Sequence, residues 1–368
     1  MPVATFPCTS CGAELEFKPG TTSLQCASCG SLNEIPKDAE PVEELDYRAM
    51  LADLDEKADH VDAPAVHCDS CGANVTLEQN VTSQSCPFCG SHIVATEKSV
   101  RVIKPRSLIP FSIDRQKART SFRSWLGGLW FAPNALKSAA FVEGDAKVKH
   151  GSGLAGVYLP HWTFDCAVHT TYTGQRGDDY FVSVPMTVMV NGKPTVRMVQ
   201  QRRTRWRWVS GSVSNSFDDV LVTATHSLPP SRIREIGDWN TKELIPFRPD
   251  YLAGFRAESY TVGLPEGFSA AQGIMRHTIE MTIRRDIGGD HQRIASLSPT
   301  YTNVTFKHIL LPVWVSAYRY NGRVFRFLIN GATGRLSGER PYSPWKISFA
   351  VLAGLVLAGI VAILIARG

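Results

Sequence analysis

Eight cysteines in two sets carry the clearest chemical signal in the sequence. Each set contains two Cys-x-x-Cys pairs, and fourteen residues separate the inner cysteines in both sets. The segments CTSCGAELEFKPGTTSLQCASCGS (8–31) and CDSCGANVTLEQNVTSQSCPFCGS (68–91) are identical at 11 of 24 positions, which indicates a duplicated module. The cysteines are Cys8, Cys11, Cys26 and Cys29 in the first copy and Cys68, Cys71, Cys86 and Cys89 in the second.

This spacing suits a metal ion held by four thiolates. Two Cys-x-x-Cys turns can place four sulfurs in a tetrahedron with no open position, which is typical of a structural zinc site. We therefore expect two structural Zn²⁺ ions per chain, each contributing roughly 10–16 kcal/mol to the folding of its module. Disulfide pairs in a secreted module and an iron–sulfur cluster are the alternatives. Residues 1–7 have neither the charged start nor the apolar run of a signal peptide, which favours a metal over disulfides.

The charge of the cysteine-rich region argues against nucleic acid as its ligand. Residues 1–97 contain sixteen Asp and Glu residues and four Lys and Arg residues. Binding to a phosphate backbone requires Lys and Arg to displace condensed counterions. We therefore interpret the two predicted zinc ribbons, 1–36 and 64–97, as surfaces for protein partners.

An acidic stretch, residues 37–63, connects the two modules. Tyr47, Leu51, Leu54 and Ala58 recur at helical spacing within it, which predicts a short acidic amphipathic helix. We expect this helix to pack between the ribbons, and a helix reserved for a partner protein is the alternative.

The C-terminal segment 341–368 contains a long apolar run. Its twenty uncharged residues, ISFAVLAGLVLAGIVAILIA (347–366), are enough for a helix to cross a hydrocarbon core of roughly 30 Å. Tyr342 and Trp345 would lie at the membrane interface, with basic residues beside them. This flank, and cysteines that must stay reduced, predict a tail-anchored, single-pass protein of the inner (cytoplasmic) membrane with its N-terminal bulk in the cytoplasm. A buried helix of a soluble protein is the alternative.

Small residues recur every four positions along the apolar run. Such a stripe lets a second helix approach closely, as in a homo-oligomer, although Ala and Gly are common in membrane helices in general. The residues are Ala350, Gly354, Ala358, Ala362 and Ala366.

Residues 98–340 show both sheet and helix signals, so we expect a β-rich α+β platform domain. The expected elements are a helix in 112–129 that ends at Gly127-Gly128, strands over 156–209, a helix capped by Ser216 with Asp218 and Asp219 in its first turn, a long helix after Pro265 that stops at Gly288-Gly289, and a hairpin at Asn321-Gly322. The similar segments YLPHW (158–162) and LLPVW (310–314) suggest two related halves.

A basic and aromatic segment, QQRRTRWRWVSG (200–211), is a candidate binding surface within this domain. Its members are Arg202, Arg203, Arg205 and Arg207, together with Trp206 and Trp208. Arginines interleaved with aromatic residues occur on nucleic-acid surfaces, and a membrane anchor adds anionic lipid as a second ligand class. Strand alternation sends the two tryptophans to one face and Arg205 and Arg207 to the other, which predicts a buried tryptophan face and a solvated arginine face.

Other polar clusters offer weaker chemistry. The candidates are Asp286, Asp290 and His291 in RRDIGGDHQR, and His161 and Asp165 in LPHWTFD. The first group could be a hard-metal or acid–base site, although its double glycine is also typical of a helix C-terminal cap. We expect Cys166, the remaining cysteine, to be a small buried residue. Because the sequence contains no phosphate-binding loop, no G-x-S-x-G elbow and no H-E-x-x-H helix, we expect no enzyme activity.

Several segments, taken in order, resemble a bacterial family of TFIIB-type zinc-ribbon membrane proteins. They are PCTSCGAELEFKPG, the paired cysteine modules, YLPHWTFD, DIGGDHQR, FKHILLPVW, GERPYSPWK and the apolar C-terminal run. Members of this family are often labelled primosomal protein N′ (replication factor Y) or superfamily II helicase, but this chain lacks both helicase motor domains. The resemblance implies association with membrane-stress systems that include flotillin-like SPFH proteins and phage-shock protein A. It assigns a role only to the eight cysteines, as zinc ligands.

Together these features predict a cytosol-facing, membrane-anchored zinc-ribbon adaptor or scaffold that binds protein partners. The expected domains are zinc ribbon 1 (1–36), an acidic helical linker (37–63), zinc ribbon 2 (64–97), the α+β platform (98–340), and a juxtamembrane segment with a transmembrane helix (341–368). A nucleic-acid-binding or helicase-associated zinc protein is the alternative function. The segment 200–211 is the feature that favours that alternative.

Overall fold

The structure is a computed structural model that describes most of the chain. The described residues are 6–36, 42–56, 60–68, 72–75, 83–88, 91–94, 98–133, 148–150, 154–190, 193–320, 323–340 and 342–367. Their α-helices are α1 Tyr47–Glu56, α2 Arg115–Gly128, α3 Pro230–Glu235, α4 Leu264–Ile287 and α5 Pro344–Arg367. Two short 3₁₀ helices, Thr241–Glu243 and Pro249–Leu252, precede α4.

The strands of the described residues form one large sheet and three small ones. They are β1 Leu15–Phe17, β2 Ser23–Cys26, β3 Leu32–Glu34, β4 Leu45–Asp46, β5 His60–His67, β6 Asn74–Val75, β7 Ser83–Ser85, β8 His92–Val94, β9 Lys98–Ile103, β10 Ser107–Leu108, β11 Val148–His150, β12 Ala155–Val190, β13 Lys193–Thr223, β14 Ile245–Pro246, β15 Arg256–Ala257, β16 His291–Tyr320, β17 Arg323–Asn330 and β18 Leu336–Gly338. The small sheets are β1-β2-β3, β6-β5-β9 and β7-β8. The chain is therefore a mixed α+β protein, as the sequence predicts.

Three long antiparallel strands, in the order β13-β12-β16, form the centre of the large sheet. β12 pairs with β13 up to the Val190–Lys193 pair at the tip of their hairpin. β12 also pairs with β16, but only from Ala155 to Gly177, where the partner is His291. The β12–β13 hairpin therefore extends well beyond the rest of the sheet.

The sheet is built from two halves that share one hydrogen-bond pattern. YLPHW lies on β12 and LLPVW on β16, and the two segments pair with each other, with Pro160 opposite Leu310. The carbonyl of Pro160 accepts a hydrogen bond from Ala224 N at 3.0 Å. At the matching place in the other segment, the carbonyl of Pro312 accepts one from Gly331 N at 2.8 Å.

The two tryptophans of these segments repeat the match. Trp162 Nε1 donates to the carbonyl of Val262 at 3.0 Å, and Trp314 Nε1 donates to that of Ile113 at 2.8 Å. Val262 and Ile113 lie just before α4 and α2, respectively. Each half thus contains a short strand, a helix and a β-hairpin: β10-α2-β12-β13 in the first, and β15-α4-β16-β17 in the second. The short strands are exchanged, because β10 pairs in parallel with β16 and β15 with β12.

The longest helix of the platform, α4, covers one face of the long strands. Its buried residues recur every three or four positions, as an amphipathic helix requires. They are Leu264, Gly267, Phe268, Ala271, Met275, Ile279, Ile283 and Ile287. The helix ends where Gly288 takes a φ of 63° and its N–H donates to Arg284 O at 3.2 Å, which confirms the predicted glycine stop.

Two further predicted elements are confirmed. α2 begins after Asp114, whose side chain accepts a hydrogen bond from Lys117 N at 2.7 Å, and it ends at Gly128. β16 and β17 form the predicted hairpin, with Tyr320 opposite Arg323. The turn residues 321–322 lie outside the described part of the chain.

The helix predicted to start at Ser216 is wrong. Ser216 belongs to β13 and lies opposite Ala167, and the pairing continues to Thr223 opposite His161. The register shifts between Phe164 and Cys166, so the ladder contains a bulge in this region. Long-range pairing with β12 outweighs the local capping signal, because strand formation depends on cross-strand contacts more than on local sequence.

The short acidic helix predicted in the linker is confirmed as α1, but it packs elsewhere. Met50 is buried among residues of the platform core under α4, and Tyr47 lies 4.7 Å from Phe268 between ring centroids. α1 therefore lies on the platform and not between the ribbons. Ala58, one of the residues behind this prediction, lies outside the described residues.

Both cysteine modules also pack on the platform. In the first, Phe17 contacts Tyr251 with ring centroids 5.1 Å apart, and its N–H donates to Ala253 O at 3.0 Å. In the second, Cys86 and Phe88 are buried in a cluster with platform residues of β12 and β16. Neither module therefore relies only on its own few apolar residues for a core.

The apolar C-terminal run forms the helix α5. The window Pro344–Ile365 has 22 residues and a mean hydropathy of 2.8, and none of it is buried inside the protein. By length and composition this helix can cross a membrane.

Candidate metal centre and interaction surfaces

The four cysteines of the first module converge at one point. Their sulfur atoms all lie within 4.8 Å of one another. Cys8 Sγ is 3.7 Å from Cys29 Sγ, and Cys11 Sγ is 3.5 Å from Cys26 Sγ. A tetrahedral zinc ion with Zn–S bonds of about 2.3 Å separates its ligands by about 3.8 Å. The arrangement therefore fits one metal ion.

Local backbone geometry explains why these sulfurs converge. After each Cys-x-x-Cys pair a glycine turns the chain with positive φ, 74° at Gly12 and 76° at Gly30. The N–H of Gly12 donates to Cys8 O, and that of Gly30 to Cys26 O, both at 2.9 Å. Each pair thus forms a tight turn in which both thiols point to the same side.

The clustered thiols oppose one another's ionisation. The Ser31 hydroxyl lies 3.0 Å from Cys8 Sγ and, with nearby backbone N–H groups, lowers the pKa of Cys8 to about 5. The Ala13 N–H lowers the pKa of Cys11, but the neighbouring thiol of Cys26 outweighs it, and the pKa of Cys11 rises to about 12. A divalent ion removes this conflict, because a coordinated thiol loses its proton outright.

The second module repeats the backbone turns of the first where it is described. Gly72 has a φ of 77°, and its N–H donates to Cys68 O at 2.7 Å. Cys68 and Cys86 are both buried. Cys71 and Cys89 lie outside the described residues. The structure therefore gives the geometry of one four-sulfur site, and a second site stays a prediction.

The extended end of the β12–β13 hairpin, residues 178–190 and 193–205, is called the arm below. It lies beyond the last pair between β12 and β16, and each of its strands has thirteen residues, or about 44 Å at 3.4 Å per residue. Large apolar side chains are exposed on it, including Phe181 at 66% and Met189 at 69%. No other described strand pairs with the arm, and a two-stranded ribbon of this kind is only marginally stable in water, so these side chains form an exposed apolar surface.

The arginines of the candidate segment 200–211 lie where the arm joins the rest of the sheet, and they are exposed, as predicted. The predicted buried tryptophan face is wrong, because Trp208 is 69% exposed and only Trp206 is half-buried. α4 covers the opposite face of the sheet, and Trp206 is sheltered instead by Arg293, whose guanidinium carbon lies 4.0 Å from the ring centroid. Arg202 Nε lies 3.5 Å from an Asp179 carboxylate oxygen.

The candidate group Asp286, Asp290 and His291 does not form one site. The Asp286 carboxylate accepts a hydrogen bond from Tyr172 OH at 2.5 Å on the face covered by α4. Asp290 instead accepts one from Asp179 N at 2.7 Å, and His291 Nε2 lies 3.2 Å from an Asp179 carboxylate oxygen. These contacts fix the start of β16 against the first residues of the arm.

Sequence reasoning missed a partly buried ionic cluster around Lys307. Its ammonium group lies 2.8 Å from Asp219, 2.9 Å from Glu44 and 3.5 Å from Asp165. Burial raises the pKa of Asp165 to about 6, although the Asp219 N–H and the lysine oppose this. Burial alone would lower the pKa of Lys307, but the Asp219 and Glu44 carboxylates hold it above its usual value. The four residues are far apart in sequence and carry no common spacing, so no sequence signal joins them.

The remaining candidate residues, His161, Asp165 and Cys166, make contacts that hold the fold together. His161 is buried, its Nδ1 lies 3.1 Å from Leu159 O, and burial lowers its pKa to about 4. Cys166 is buried with its sulfur 3.6 Å from Met275 Sδ, as predicted for a small core residue. Asp165 faces Lys307, so His161 and Asp165 do not act as a pair.

The start of α5 and the end of α2 meet at one surface, called the base below. Ser343 N donates to Phe131 O at 2.8 Å, and Lys346 Nζ donates to Trp130 O and Ala132 O at 3.1 and 2.9 Å. Four exposed aromatic residues surround these contacts. They are Trp130, Phe131, Tyr342 and Trp345.

Comparison with known proteins gives one distant relative over nearly the full chain. The chain is 25% identical to the uncharacterized protein YdjG of Bacillus subtilis (strain 168) over 362 residues, which cover 96% of this chain and 95% of YdjG. No protein-family model matches the chain, and no solved structure matches it. The similarity to YdjG extends over nearly the whole chain and is not confined to one segment.

Proposed function

We propose that the chain is a membrane-anchored, cytosol-facing zinc-ribbon adaptor that presents a docking arm to a protein partner. The observation that carries the proposal is the arm, a two-stranded ribbon with exposed apolar side chains at its tip. Such a surface stays soluble more readily when a partner covers it. In this proposal α5 is the single membrane anchor, and both cysteine modules hold structural zinc.

The direction of the strands supports a docking role away from the membrane. The arm extends past the start of β16, whereas the β16–β17 hairpin extends past the start of β12 at Ala155. Because β12 and β16 are antiparallel, these extensions lie at opposite ends of the sheet. The chain enters α5 from the second end, since Glu339 N donates to Arg326 O at 2.8 Å on β17. An anchored protein would therefore hold its arm on the side away from the bilayer.

The charge of the arm indicates what kind of partner it fits. Residues 178–205 contain five Lys and Arg residues and two Asp residues, a net charge of +3. An acidic protein surface with apolar side chains at its centre would match both features, because complementary charge steers association while apolar burial stabilises it. By the family resemblance, a flotillin-like SPFH protein or a phage-shock protein A-type protein is the partner that we would test first.

A shortened arm tests the proposal. Asp179 and Thr204 are opposite each other in the ladder, so joining them through Asn-Gly removes residues 180–203 and preserves the register of the rest. We expect this variant to stay in the membrane fraction and to keep its metal, but to bind the purified SPFH-type or phage-shock-type protein at least about tenfold more weakly than the intact chain. Binding that is unchanged by the deletion would contradict the proposal.

A second candidate function is nucleic-acid binding by the segment 200–211, where the arm joins the rest of the sheet. The exposed Trp208 favours it, because an aromatic ring beside arginines can stack on a base. Full-length protein would be titrated with single-stranded DNA and RNA at about 50 mM and about 200 mM salt, alongside Trp208→Ala. Salt-dependent binding that the substitution weakens would favour this function over the adaptor.

A further inference from the structure

We propose that the base binds the phosphate of an anionic phospholipid headgroup in a groove beside the start of α5. The inference rests on the proposed membrane anchoring and adds a specific lipid site to it. The groove opens between α3, the β17–β18 hairpin and the segment that enters α5. Its lining residues are Arg232, Phe325, Gly338, Glu339, Arg340 and Tyr342.

Two arginines give the groove its chemistry. Arg232 uses one nitrogen, Nη1, to contact Glu235 at 2.8 Å and Ser337 at 3.5 Å. A guanidinium carries five N–H donors, so further donors remain on this residue. Arg340 is exposed, and its guanidinium carbon lies 5.5 Å from the centroid of the Tyr342 ring. Guanidinium groups match phosphate oxygens in shape and charge, and two of them at one groove suit a phosphate monoanion.

Two acidic residues lie near these arginines: Glu235 pairs with Arg232, and Glu339 lines the groove. A Glu339 carboxylate oxygen accepts a hydrogen bond from Arg326 N at 3.2 Å. The surrounding sequence is strongly basic, because residues 318–346 contain six Lys and Arg residues and one Glu residue. A net charge of this sign directly before an apolar helix attracts anionic lipid.

The exposed aromatic residues of the base place the groove at headgroup depth. Trp345 is 78% exposed in the first turn of α5, and Trp130 is 72% exposed at the end of α2. Tryptophan and tyrosine favour the membrane interface, where the ring is in an apolar layer and the polar atom is hydrated. The Lys346 and Ser343 hydrogen bonds join the start of α5 to the residues after α2. Trp345 and Trp130 would therefore enter the interface together. Tyr342 belongs to this set and also lines the groove, so the groove would lie beside the headgroups.

Lipid selectivity of the full-length protein tests the site. The protein would be reconstituted in vesicles of phosphatidylcholine with about one-third phosphatidylglycerol, extracted gently, and its retained lipids counted by native mass spectrometry. One basic residue near a membrane surface contributes about a five-fold preference for anionic lipid, so Arg232→Gln with Arg340→Gln should lower the ratio of phosphatidylglycerol to phosphatidylcholine by about 25-fold. Arg203→Gln with Arg205→Gln makes the same change of charge on the arm and should leave that ratio unchanged.

Three outcomes would overturn the site. The first is a groove variant that keeps the lipid ratio of the intact protein, and the second is a loss of selectivity in the arm variant alone. The third is displacement of phosphatidylglycerol by an excess of free glycerol phosphate, which would show a soluble phosphate site. Membrane fractionation of the same samples separates the two proposals. If the intact protein is not retained by vesicles, the anchoring itself is wrong and the lipid site falls with it.

Discussion

Replacing Lys307 with methionine should destabilise the platform strongly. The Lys307 side chain is 7% exposed, and its ammonium group contacts three carboxylates, at 2.8 Å for Asp219, 2.9 Å for Glu44 and 3.5 Å for Asp165. Methionine fills a similar volume but leaves these carboxylates without their cation. Breaking a buried ion pair by removing one partner costs about 3–5 kcal/mol, and we expect an effect of that size here.

The assay is thermal unfolding of the detergent-solubilised, full-length protein, followed by tryptophan fluorescence. For a domain of this size, 1 kcal/mol shifts the midpoint by about 2–4 °C, so the predicted loss corresponds to a shift of about 6–20 °C. Lys117→Met is the matched control. Lys117 is 68% exposed and lies 3.9 Å from Asp114, so its substitution should cost no more than about 0.5 kcal/mol.

The pH dependence of the stability difference between the intact protein and Lys307→Met tests whether the cause is electrostatic. Asp165 has a raised pKa of about 6, so the stability that it contributes is present at low pH and is lost as the pH rises through that value. The pKa of Glu44 is lowered, chiefly by its hydrogen bond from Lys307, and its contribution is lost as the pH falls. Without the lysine both carboxylates bind protons more readily, so the Lys307→Met deficit should shrink between pH 7 and pH 5. A deficit that stays constant or grows on acidification would refute this reasoning, as would a shift no larger than that of the control.

Two further predictions concern the metal and the topology. Purified protein should contain two zinc ions per chain, and Cys26→Ser should unfold the first module and remove one of them without releasing the protein from membranes. Elemental analysis that finds iron, or less than one zinc in fresh reduced protein, would contradict this. Deleting residues 347–368 should release the protein to the soluble fraction, and protease added outside intact cells should leave the cysteine modules uncut. Cleavage of the modules without lysis would reverse the predicted orientation.

Features set by local chemistry could be predicted from the sequence. The tight turns at Cys8 and at Cys26 each need only the Cys-x-x-Cys spacing and a glycine with positive φ after the pair. α4 is visible in the three- and four-residue recurrence of its apolar residues, and Gly288 marks its end. The length of α5 follows from a run of uncharged residues. Each of these signals lies within a few helical turns of sequence, which is why no knowledge of distant partners is needed.

Features that depend on distant neighbours could not be predicted in the same way. Alternation correctly separates Trp208 from Arg207, but it does not say which face is covered, and α4 covers the other one. Ser216 followed by two aspartates is a genuine capping signal, yet the pairing of β13 with β12 overrides it. The Lys307 cluster joins residues more than 200 positions apart, from Glu44 to Lys307. Packing of both cysteine modules on the platform likewise depends on surfaces that assemble only in the folded chain.

The two halves of the platform differ at a few places, and those places locate what has been added to the shared scaffold. Ile109 and Glu258 occupy matching positions: the N–H of Ile109 donates to Leu310 O at 3.1 Å, and that of Glu258 to Tyr158 O at 3.0 Å. Ile109 is buried in an apolar cluster, as a scaffold position requires.

Glu258 is just as buried, and its carboxylate accepts hydrogen bonds from Thr225 at 2.7 Å and Ser227 at 2.9 Å. Burial raises the pKa of the Glu258 carboxyl to about 8, so this polar group is costly where the other half has an isoleucine. The position adjoins the second cysteine module, because Ser259 N donates to Asn74 O at 3.1 Å. The same logic applies at the hairpins: one half extends into the arm, and the other leads into α5. The divergent positions thus coincide with the attached module, the arm and the apolar helix, which are the parts that an anchored adaptor would use, while the shared hydrogen bonds between them keep the scaffold common to both halves.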